Sequence, residues 1–71
     1  MIDLVRLGLT CKEFRKSLGV PQTVVANETK YTNQSISYFE QGKNDSFSIL
    51  AWYLQNGLTI DDLIKGGAIR L

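Results

Sequence analysis

Residues 22–43, which read QTVVANETKYTNQSISYFEQGK, decide the fold of this 71-residue chain. Two pairs of small or apolar residues stand in this stretch, one on each side of a short polar segment. The arrangement predicts two short helices joined by a tight turn, because each pair marks the buried side of one helix. Thr32 is the predicted N-cap of the second helix, which should stop at Gly42. The pairs are Val25 with Ala26 and Ile36 with Phe39, and the turn is Lys30-Tyr31-Thr32.

The segment before this stretch predicts one longer helix. Thr10 and Glu13 have the spacing of a capping box, and Leu9 can pack against Phe14 across the first turn. The helix should then run up to Gly19, a residue that commonly ends helices.

The first nine residues allow two interpretations. Ile2 and Leu4 alternate as in a strand. Leu4 and Val5, followed by a stop at Gly8, also suit a short helix.

The segment after residue 43 predicts two further helices. Asp45 or Ser46 caps the first of them, and Asn56-Gly57 ends it. The second begins at Thr59, which forms a capping box with Asp62, and ends at the glycine pair that follows. The predicted apolar faces are Phe47, Leu50, Ala51 and Leu54 in the fourth helix and Ile60, Leu63 and Ile64 in the fifth.

Five short helices with short connections predict an all-α domain, because little sequence is left for a sheet. The chain resembles the Cro/CI repressor-type (XRE) helix-turn-helix family. The matching residues are Arg15, then Gln22-Thr23-Val24-Val25-Ala26, then Ile36-Ser37-Tyr38-Phe39-Glu40-Gln41-Gly42-Lys43. This resemblance covers Cys11 to about Ile64 and implies a five-helix lambda-repressor-like domain. It would occupy residues 1–71, with its core at 10–66 and the helix-turn-helix at 22–42.

The resemblance implies that the helix after Thr32 reads bases in a DNA major groove. Amides and hydroxyls at the start of a helix can hydrogen-bond to base edges, and Asn or Gln can bind adenine through two bonds. Outside this motif, the same amides would be read as ordinary polar surface. A helix N-terminus also favours an anion, which suits a phosphate at Gln22. The positions implied as base-reading are Asn33, Gln34, Ser37 and Tyr38, and those implied as phosphate contacts are Gln22, Thr32, Ser35, Lys30 and Lys43.

The resemblance also pairs Arg15 with Glu40 as a structural ion pair. The alternative is two surface charges that never meet. Two residues depart from the family pattern. Lys30 stands where glycine is usual, in a backbone conformation that costs a lysine about 1 kcal/mol, and Tyr38 is bulkier than the usual polar residue. The predicted reading helix also has no Lys or Arg, so it cannot read guanine with a cation.

The charge, the apolar content and the reactive residues of the chain further limit the functions it can have. The net charge is +1, which is low for a nucleic-acid-binding protein. No apolar run reaches the roughly 20 residues that span a bilayer, and no secretory signal is recognisable, so we expect a cytoplasmic location.

Cys11 is the only cysteine and is predicted to be a small core residue. With no histidine, and with Asp61 and Asp62 adjacent on a helix, we predict no enzymatic activity, metal or cofactor.

Trp52 falls outside the predicted apolar face of its helix. An exposed Trp is a frequent anchor of protein interfaces, whereas a Trp that covers the N-terminal segment would be part of the core. The apolar tail at the C-terminus could likewise join a dimer contact or fold back as a cap. The residues predicted for a protein interface are Trp52, Tyr53, Ile69 and Leu71.

Two functions fit these observations. The first is a Cro-like transcription regulator of a phage or other bacterial mobile element, without an effector or peptidase domain, that binds double-stranded operator DNA as a homodimer. The second is an antirepressor that uses the same fold to bind a partner repressor protein, like the lactococcal phage modulator-of-repression proteins. Near-neutral charge favours the second, but the polar base-reading positions favour the first, which we predict. Neither involves a membrane or a small-molecule ligand.

Overall fold

The computed structural model describes every residue from Met1 to Leu71 and contains five helices and no sheet. This confirms the predicted all-α class and the number of helices. The helices are α1 (Leu4–Ser17), α2 (Gln22–Thr29), α3 (Asn33–Glu40), α4 (Phe47–Gln55) and α5 (Ile60–Lys65). α1 packs against α3, α4 and α5, and α2 packs against α3 and α4.

α1 begins well before the residue at which the sequence placed its start. Asp3 is the N-cap, and its side chain accepts a hydrogen bond from the N–H of Arg6 at 3.1 Å. Thr10 therefore lies inside the helix, and the capping box predicted for Thr10 and Glu13 is wrong. Asp is as good an N-cap as Thr, so the helix can start at Asp3, and a second start at Thr10 is not needed.

Gly8 is a point of close contact within α1 and does not end a helix. A Cβ atom at this position would lie 2.5 Å from the carbonyl oxygen of Phe39 and 2.6 Å from that of Glu40. Because glycine has no Cβ, the two helix backbones can approach this closely. The contact fixes α1 across the C-terminal end of α3.

The two ends of the chain lie side by side. Ile2 and Ile69 form an isolated antiparallel bridge. The N–H of Asp3 donates to the carbonyl of Ala68 at 2.8 Å, and the N–H of Arg70 donates to that of Met1 at 2.9 Å. The tail therefore folds back onto the start of the chain, which is one of its two interpretations, and its part in a dimer contact stays a prediction.

α2 and α3 form the two-helix unit that residues 22–43 predicted. α2 begins at Gln22, and Thr32 caps α3 by accepting a hydrogen bond from the N–H of Ser35 at 3.1 Å. The predicted contact residues between the two helices are all buried, namely Val25, Ala26, Ile36 and Phe39.

Lys30 ends α2 in the left-handed conformation, with a φ of 66°. It is the only non-glycine residue with a positive φ. A Cβ atom makes this conformation unfavourable by roughly 1–2 kcal/mol, a cost that glycine does not have. The turn forms nonetheless, because the N–H groups of Lys30 and Tyr31 both donate to the carbonyl of Ala26.

Lys30→Gly is therefore expected to raise the free energy of unfolding by about 1 kcal/mol. Urea unfolding followed by circular dichroism would measure the change. Lys30→Ala is the matched control, because it removes the charge and keeps the strained Cβ; it should shift stability by less than about 0.5 kcal/mol. An equal gain in both variants would show that charge, and not backbone strain, limits stability at this position.

α4 turns a different face to the core from the one predicted. Ser46, one of the two predicted caps, accepts a hydrogen bond from the N–H of Ile49 at 3.3 Å. The buried residues are Ile49, Trp52 and Tyr53, whereas Phe47 is 73% exposed. The other members of the predicted face, Leu50, Ala51 and Leu54, are only half-buried.

The prediction for α4 failed because the helix is apolar around most of its circumference. With a sequence of FSILAWYLQ, a period of 3.6 residues is compatible with more than one buried face. Trp52 and Tyr53 are buried with their polar atoms bonded to partners on other helices. A Trp or Tyr can be buried at low cost once its polar atom is satisfied.

α5 has the predicted capping box. The hydroxyl of Thr59 accepts from the N–H of Asp62 at 3.1 Å, and the carboxylate of Asp62 accepts from the N–H of Thr59 at 3.0 Å. Leu63 is buried, but Ile60 and Ile64, the other two residues of the predicted apolar face, are exposed. The helix has six residues, which is too short to bury a wide stripe.

Cys11 lies in the core and is fully buried, as predicted. Burial, together with the negative charge of Glu40, raises the pKa of its thiol to about 12. The thiol is therefore protonated at neutral pH and is a poor nucleophile. The other apolar members of the core are Leu7, Val25, Ala26, Ile36, Phe39, Ile49, Trp52, Tyr53, Leu58, Leu63 and Ala68.

Candidate nucleic-acid interface

The predicted ion pair between Arg15 and Glu40 forms and is buried. Nε of Arg15 donates to one carboxylate oxygen of Glu40 at 2.8 Å, and Nη2 donates to the other at 3.0 Å. The two side chains are 8% and 2% exposed. This two-pronged geometry ties α1 to the last residue of α3 and so sets the position of α3 relative to the rest of the domain.

Two further side chains complete what we call the Glu40 cluster: Glu40, Arg15, Gln22 and Tyr53. The hydroxyl of Tyr53 donates to Glu40 at 2.6 Å, and Nε2 of Gln22 donates to it at 3.1 Å. Each carboxylate oxygen therefore accepts two hydrogen bonds. Through one side chain, α1, α2 and α4 are all bonded to the end of α3.

The carboxyl group of Glu40 stays ionised in this setting. Burial disfavours the charge, but the hydrogen bonds from Arg15, Tyr53 and Gln22 outweigh it and lower the pKa of Glu40 below its usual value. Burial and the bond to Glu40 raise the pKa of Tyr53, so its hydroxyl remains a donor.

The side chain of Gln22 points into the protein. Its position at the start of α2 was predicted, but its amide is bonded to Glu40 and is only partly accessible. The expectation that the Gln22 side chain faces a phosphate is therefore corrected: that amide acts in the Glu40 cluster. Pro21, the N-cap, makes no side-chain hydrogen bond to α2, so the start of the helix has no side-chain cap.

The four positions predicted to read bases all lie on α3. Asn33, Gln34 and Tyr38 are exposed, and Ser37 is half-buried. α3 starts at Asn33, so two of the amides lie in its first turn. Side chains in the first turns of a recognition helix are those that reach base edges in helix-turn-helix complexes.

Two of these side chains are hydrogen-bonded to each other and a third is bonded to Gln41, and sequence reasoning missed both bonds. Nε2 of Gln34 donates to the hydroxyl of Tyr38 at 2.8 Å. Nε2 of Gln41 donates to Oγ of Ser37 at 2.9 Å. Spacing of four residues along a helix allows such pairs to meet, but the spacing alone does not show which pairs bond.

The predicted phosphate contacts fall into two groups. Thr32 and Ser35 share the start of α3, where the Thr32 hydroxyl serves as the cap and also donates to Oγ of Ser35 at 3.0 Å. Lys30 is exposed at the turn before α3. Lys43 is exposed beyond its end, with Nζ 5.6 Å from the centre of the Tyr38 ring.

The segment from Lys30 to Lys43 carries no exposed acid. Between Lys30 and Lys43 the only acidic residue is Glu40, which is buried and paired with Arg15. The two lysines are therefore the only exposed charges of this segment. The chain has a net charge of +1, so this short segment carries an excess of exposed positive charge, with exposed acids on either side of it at Glu28 and Asp45.

Trp52 and Tyr53 do not form a surface interface. Trp52 is 5% exposed, its ring lies edge-on to Tyr53, and its Nε1 donates to Glu28 at 2.7 Å. Tyr53 is fully buried. The interface predicted at these two residues is wrong, because their polar atoms have partners inside the fold. Of the other predicted interface residues, Ile69 is half-buried in the terminal bridge and Leu71 is exposed.

Two exposed aromatic side chains outside α3 were missed by the sequence reasoning. Phe47 is 73% exposed at the first residue of α4, and Tyr31 is 41% exposed in the turn before α3. A cap at Ser46 places the next residue in the first turn of the helix, which often faces solvent. The cap signal could thus have indicated the exposure of Phe47.

A comparison with known proteins finds no matching family model, curated protein or solved structure. The resemblance to Cro/CI repressors therefore stays a prediction that depends on the residues quoted above. None of the five helices has the length and apolar character needed to cross a membrane.

Proposed function

We propose that this protein is a transcription regulator that binds operator DNA as a homodimer, with α3 in the major groove. The observation that supports this most is the row of polar side chains on α3, within a segment, residues 30–43, whose only exposed charges are Lys30 and Lys43. A phage or another bacterial mobile element is the expected source of such a regulator.

The Glu40 cluster gives α3 the rigidity that base reading needs. Base recognition depends on a helix held at a fixed angle to the domain, since an error of one ångström loses hydrogen bonds. Arg15, Gln22 and Tyr53 together bond α3 to three other helices. In the proposed complex, α2 lies across the DNA backbone and α3 presents its first turns to the bases.

Base contacts would come from amides and hydroxyls. Asn33 is exposed and its side chain has no hydrogen-bond partner within the protein, so both its donor and its acceptor are available to adenine. Lys30 and Lys43 are the cations placed to reach phosphates. With about two phosphates neutralised per half-site, the logarithm of affinity should fall with that of salt with a slope near −2 per subunit.

Selection from a random pool of duplexes in low salt, followed by fluorescence anisotropy, would test the proposal. We expect a selected sequence to bind at least about a thousandfold more tightly than random duplex. Asn33→Ala should weaken that complex about tenfold and leave random binding unchanged. Lys43→Ala should instead weaken binding to the selected duplex and to random duplex alike, and should reduce the slope of log affinity against log salt by about 1.

Lys65→Ala is the matched control for the lysine variant. Lys65 is exposed on α5, pairs with Asp61 and lies outside the proposed DNA surface. Its removal should leave the salt slope unchanged. If no duplex is enriched in low salt, or if Lys65→Ala and Lys43→Ala have the same effect, the proposed DNA surface is wrong.

The second candidate function is that of an antirepressor that binds a partner repressor. It is favoured by the three exposed aromatic side chains Tyr31, Tyr38 and Phe47, since aromatic residues are enriched at protein interfaces. It is also favoured by the absence of Lys and Arg from α3. Co-expression with a candidate repressor would distinguish the two functions: Phe47→Ser should abolish co-purification in this case and should not affect DNA selection.

A further inference from the structure

Three side chains along α3 and just beyond its end contact one another in a row: Gln34, Tyr38 and Lys43. Nε2 of Gln34 donates to the hydroxyl of Tyr38 at 2.8 Å, and Nζ of Lys43 lies 5.6 Å from the centre of the Tyr38 ring. The backbone N–H of Lys43 also donates to the carbonyl of Tyr38 at 2.9 Å. Lys43 is thus attached to Tyr38 through both its backbone and its side chain.

The bond to Tyr38 uses one of the two amide hydrogens of Gln34. The second hydrogen and the carbonyl oxygen remain free, and the bond restricts rotation of the amide plane. The major-groove edge of adenine presents one acceptor, N7, and one donor, the N6 amino group. One free donor and one free acceptor on Gln34 match that pair.

Guanine is a poorer match to the same side chain. Its major-groove edge presents two acceptors, N7 and O6. With one amide hydrogen already donated to Tyr38, Gln34 has a single donor left, and its carbonyl would face O6 without a hydrogen between them. The hydrogen bond within the protein therefore favours adenine over guanine at the base pair that Gln34 meets.

We propose that Tyr38 is a positioning residue that presents the amide of Gln34 to an adenine in the operator, with Lys43 holding the tyrosine ring in place. This inference rests on the proposed DNA-binding function and specifies adenine at the operator base pair that Gln34 contacts. Tyr38 acts through Gln34, and this accounts for a bulky residue on the reading face of α3. Restricting Gln34 before binding also reduces the side-chain entropy lost in the complex.

The experiment uses the full chain and the duplex selected in low salt. Each adenine of the half-site is replaced in turn by 7-deazaadenine, which lacks the N7 acceptor, and affinities are measured by anisotropy. For the wild-type protein, replacement at one or more of these positions should lower the affinity for the duplex about fivefold. Gln34→Ala identifies the position that depends on Gln34, because that position alone should become insensitive to the replacement.

Tyr38→Phe is the decisive variant, since it keeps the ring and removes only the hydroxyl. We expect it to lower the 7-deazaadenine effect at the Gln34 position to less than twofold and to leave the other positions unchanged. Gln41→Ala is the control, because it breaks the other side-chain hydrogen bond of α3, to Ser37, without touching Gln34. It should keep the full fivefold effect. All three side chains are exposed, and circular dichroism would confirm that each variant is folded.

The outcomes separate this inference from the function on which it rests. If no duplex is selected, the DNA-binding proposal fails and the role of Tyr38 fails with it. If a duplex binds specifically but Tyr38→Phe keeps the full effect at the Gln34 position, only the positioning role is overturned. A selected half-site with guanine at the Gln34 position would overturn it as well.

Discussion

Glu40→Gln is expected to lower the free energy of unfolding by about 3–5 kcal/mol, which is the usual cost of breaking a buried ion pair. The substitution keeps the shape of the side chain but leaves the charge of Arg15 buried without a counter-charge. A chain of this length has a total stability of roughly 4–10 kcal/mol. The substitution should therefore remove roughly a third or more of the total stability, as measured by urea unfolding and circular dichroism.

The exposed ion pair on α5 provides the matched control for this prediction. Nζ of Lys65 lies 3.0 Å from Asp61, but the two side chains are 75% and 69% exposed. Asp61→Asn should change stability by less than about 0.5 kcal/mol, because solvent screens such pairs. If Glu40→Gln were as mild as Asp61→Asn, the Glu40 cluster would not be what holds α3 in place.

The same carboxyl group predicts how stability depends on pH. Because folding lowers the pKa of Glu40, its contribution is fully present above the unfolded value of 4.5 and is lost as the pH falls towards the folded value. Stability should therefore decrease when the pH is lowered from about 5 to about 3. In Glu40→Gln the decrease over this range should be smaller, and an unchanged decrease would assign the acid sensitivity to other carboxylates.

Trp52→Ala is expected to lower the free energy of unfolding by about 3–5 kcal/mol, as large-to-small substitutions of buried aromatic residues do. The ring is 5% exposed and packs edge-on to Tyr53, with centroids 5.2 Å apart. Its removal would leave a cavity between α2 and α4 and deprive Glu28 of a hydrogen-bond donor. Thermal and urea unfolding would both detect the loss.

Phe47 on the same helix is the control for Trp52. It is 73% exposed, so Phe47→Ala should change stability by less than about 0.5 kcal/mol. Glu28→Ala would isolate the hydrogen bond to Trp52, which is expected to contribute about 1 kcal/mol. A Trp52→Ala variant with normal stability and lost self-association would instead restore the surface role that the sequence had suggested.

The parts of the fold that sequence predicted well depend on short local motifs. The cap at Thr32, the capping box of Thr59 with Asp62 and the break at Asn56-Gly57 each involve residues at most three positions apart. Such motifs act through nearby backbone groups and so can be recognised without a structure. The resemblance to a family supplied one long-range contact that no local motif could give, between Arg15 and Glu40.

The errors arose where a choice depended on distant parts of the chain. Whether Thr10 or Asp3 starts α1 depends on Gly8, whose missing side chain lets that extension pack on α3. The buried face of α4 depends on partners for Trp52 and Tyr53, which come from α2 and α3. Periodicity cannot reveal such partners.

The candidate site was predicted in position but not in its internal bonding. Sequence placed Asn33, Gln34, Ser37 and Tyr38 on one helix, and the structure shows three of them exposed. It did not indicate that the Gln34 and Tyr38 side chains bond to each other, since many residues spaced four apart do not. Gln22 was assigned outward because the start of a helix attracts anions, whereas the buried carboxylate of Glu40 attracts its amide inward.

The most direct test of the proposed function is a titration of the protein with its selected duplex, followed through the amide chemical shifts in NMR spectra. We predict that the largest shifts occur at the start of α2, from Lys30 to Tyr38 and at Lys43, and that α5 is unaffected. Random duplex should cause smaller changes at the same positions. Shifts confined to α5 and the termini, or no shifts with any duplex in low salt, would contradict the proposal that α3 binds DNA.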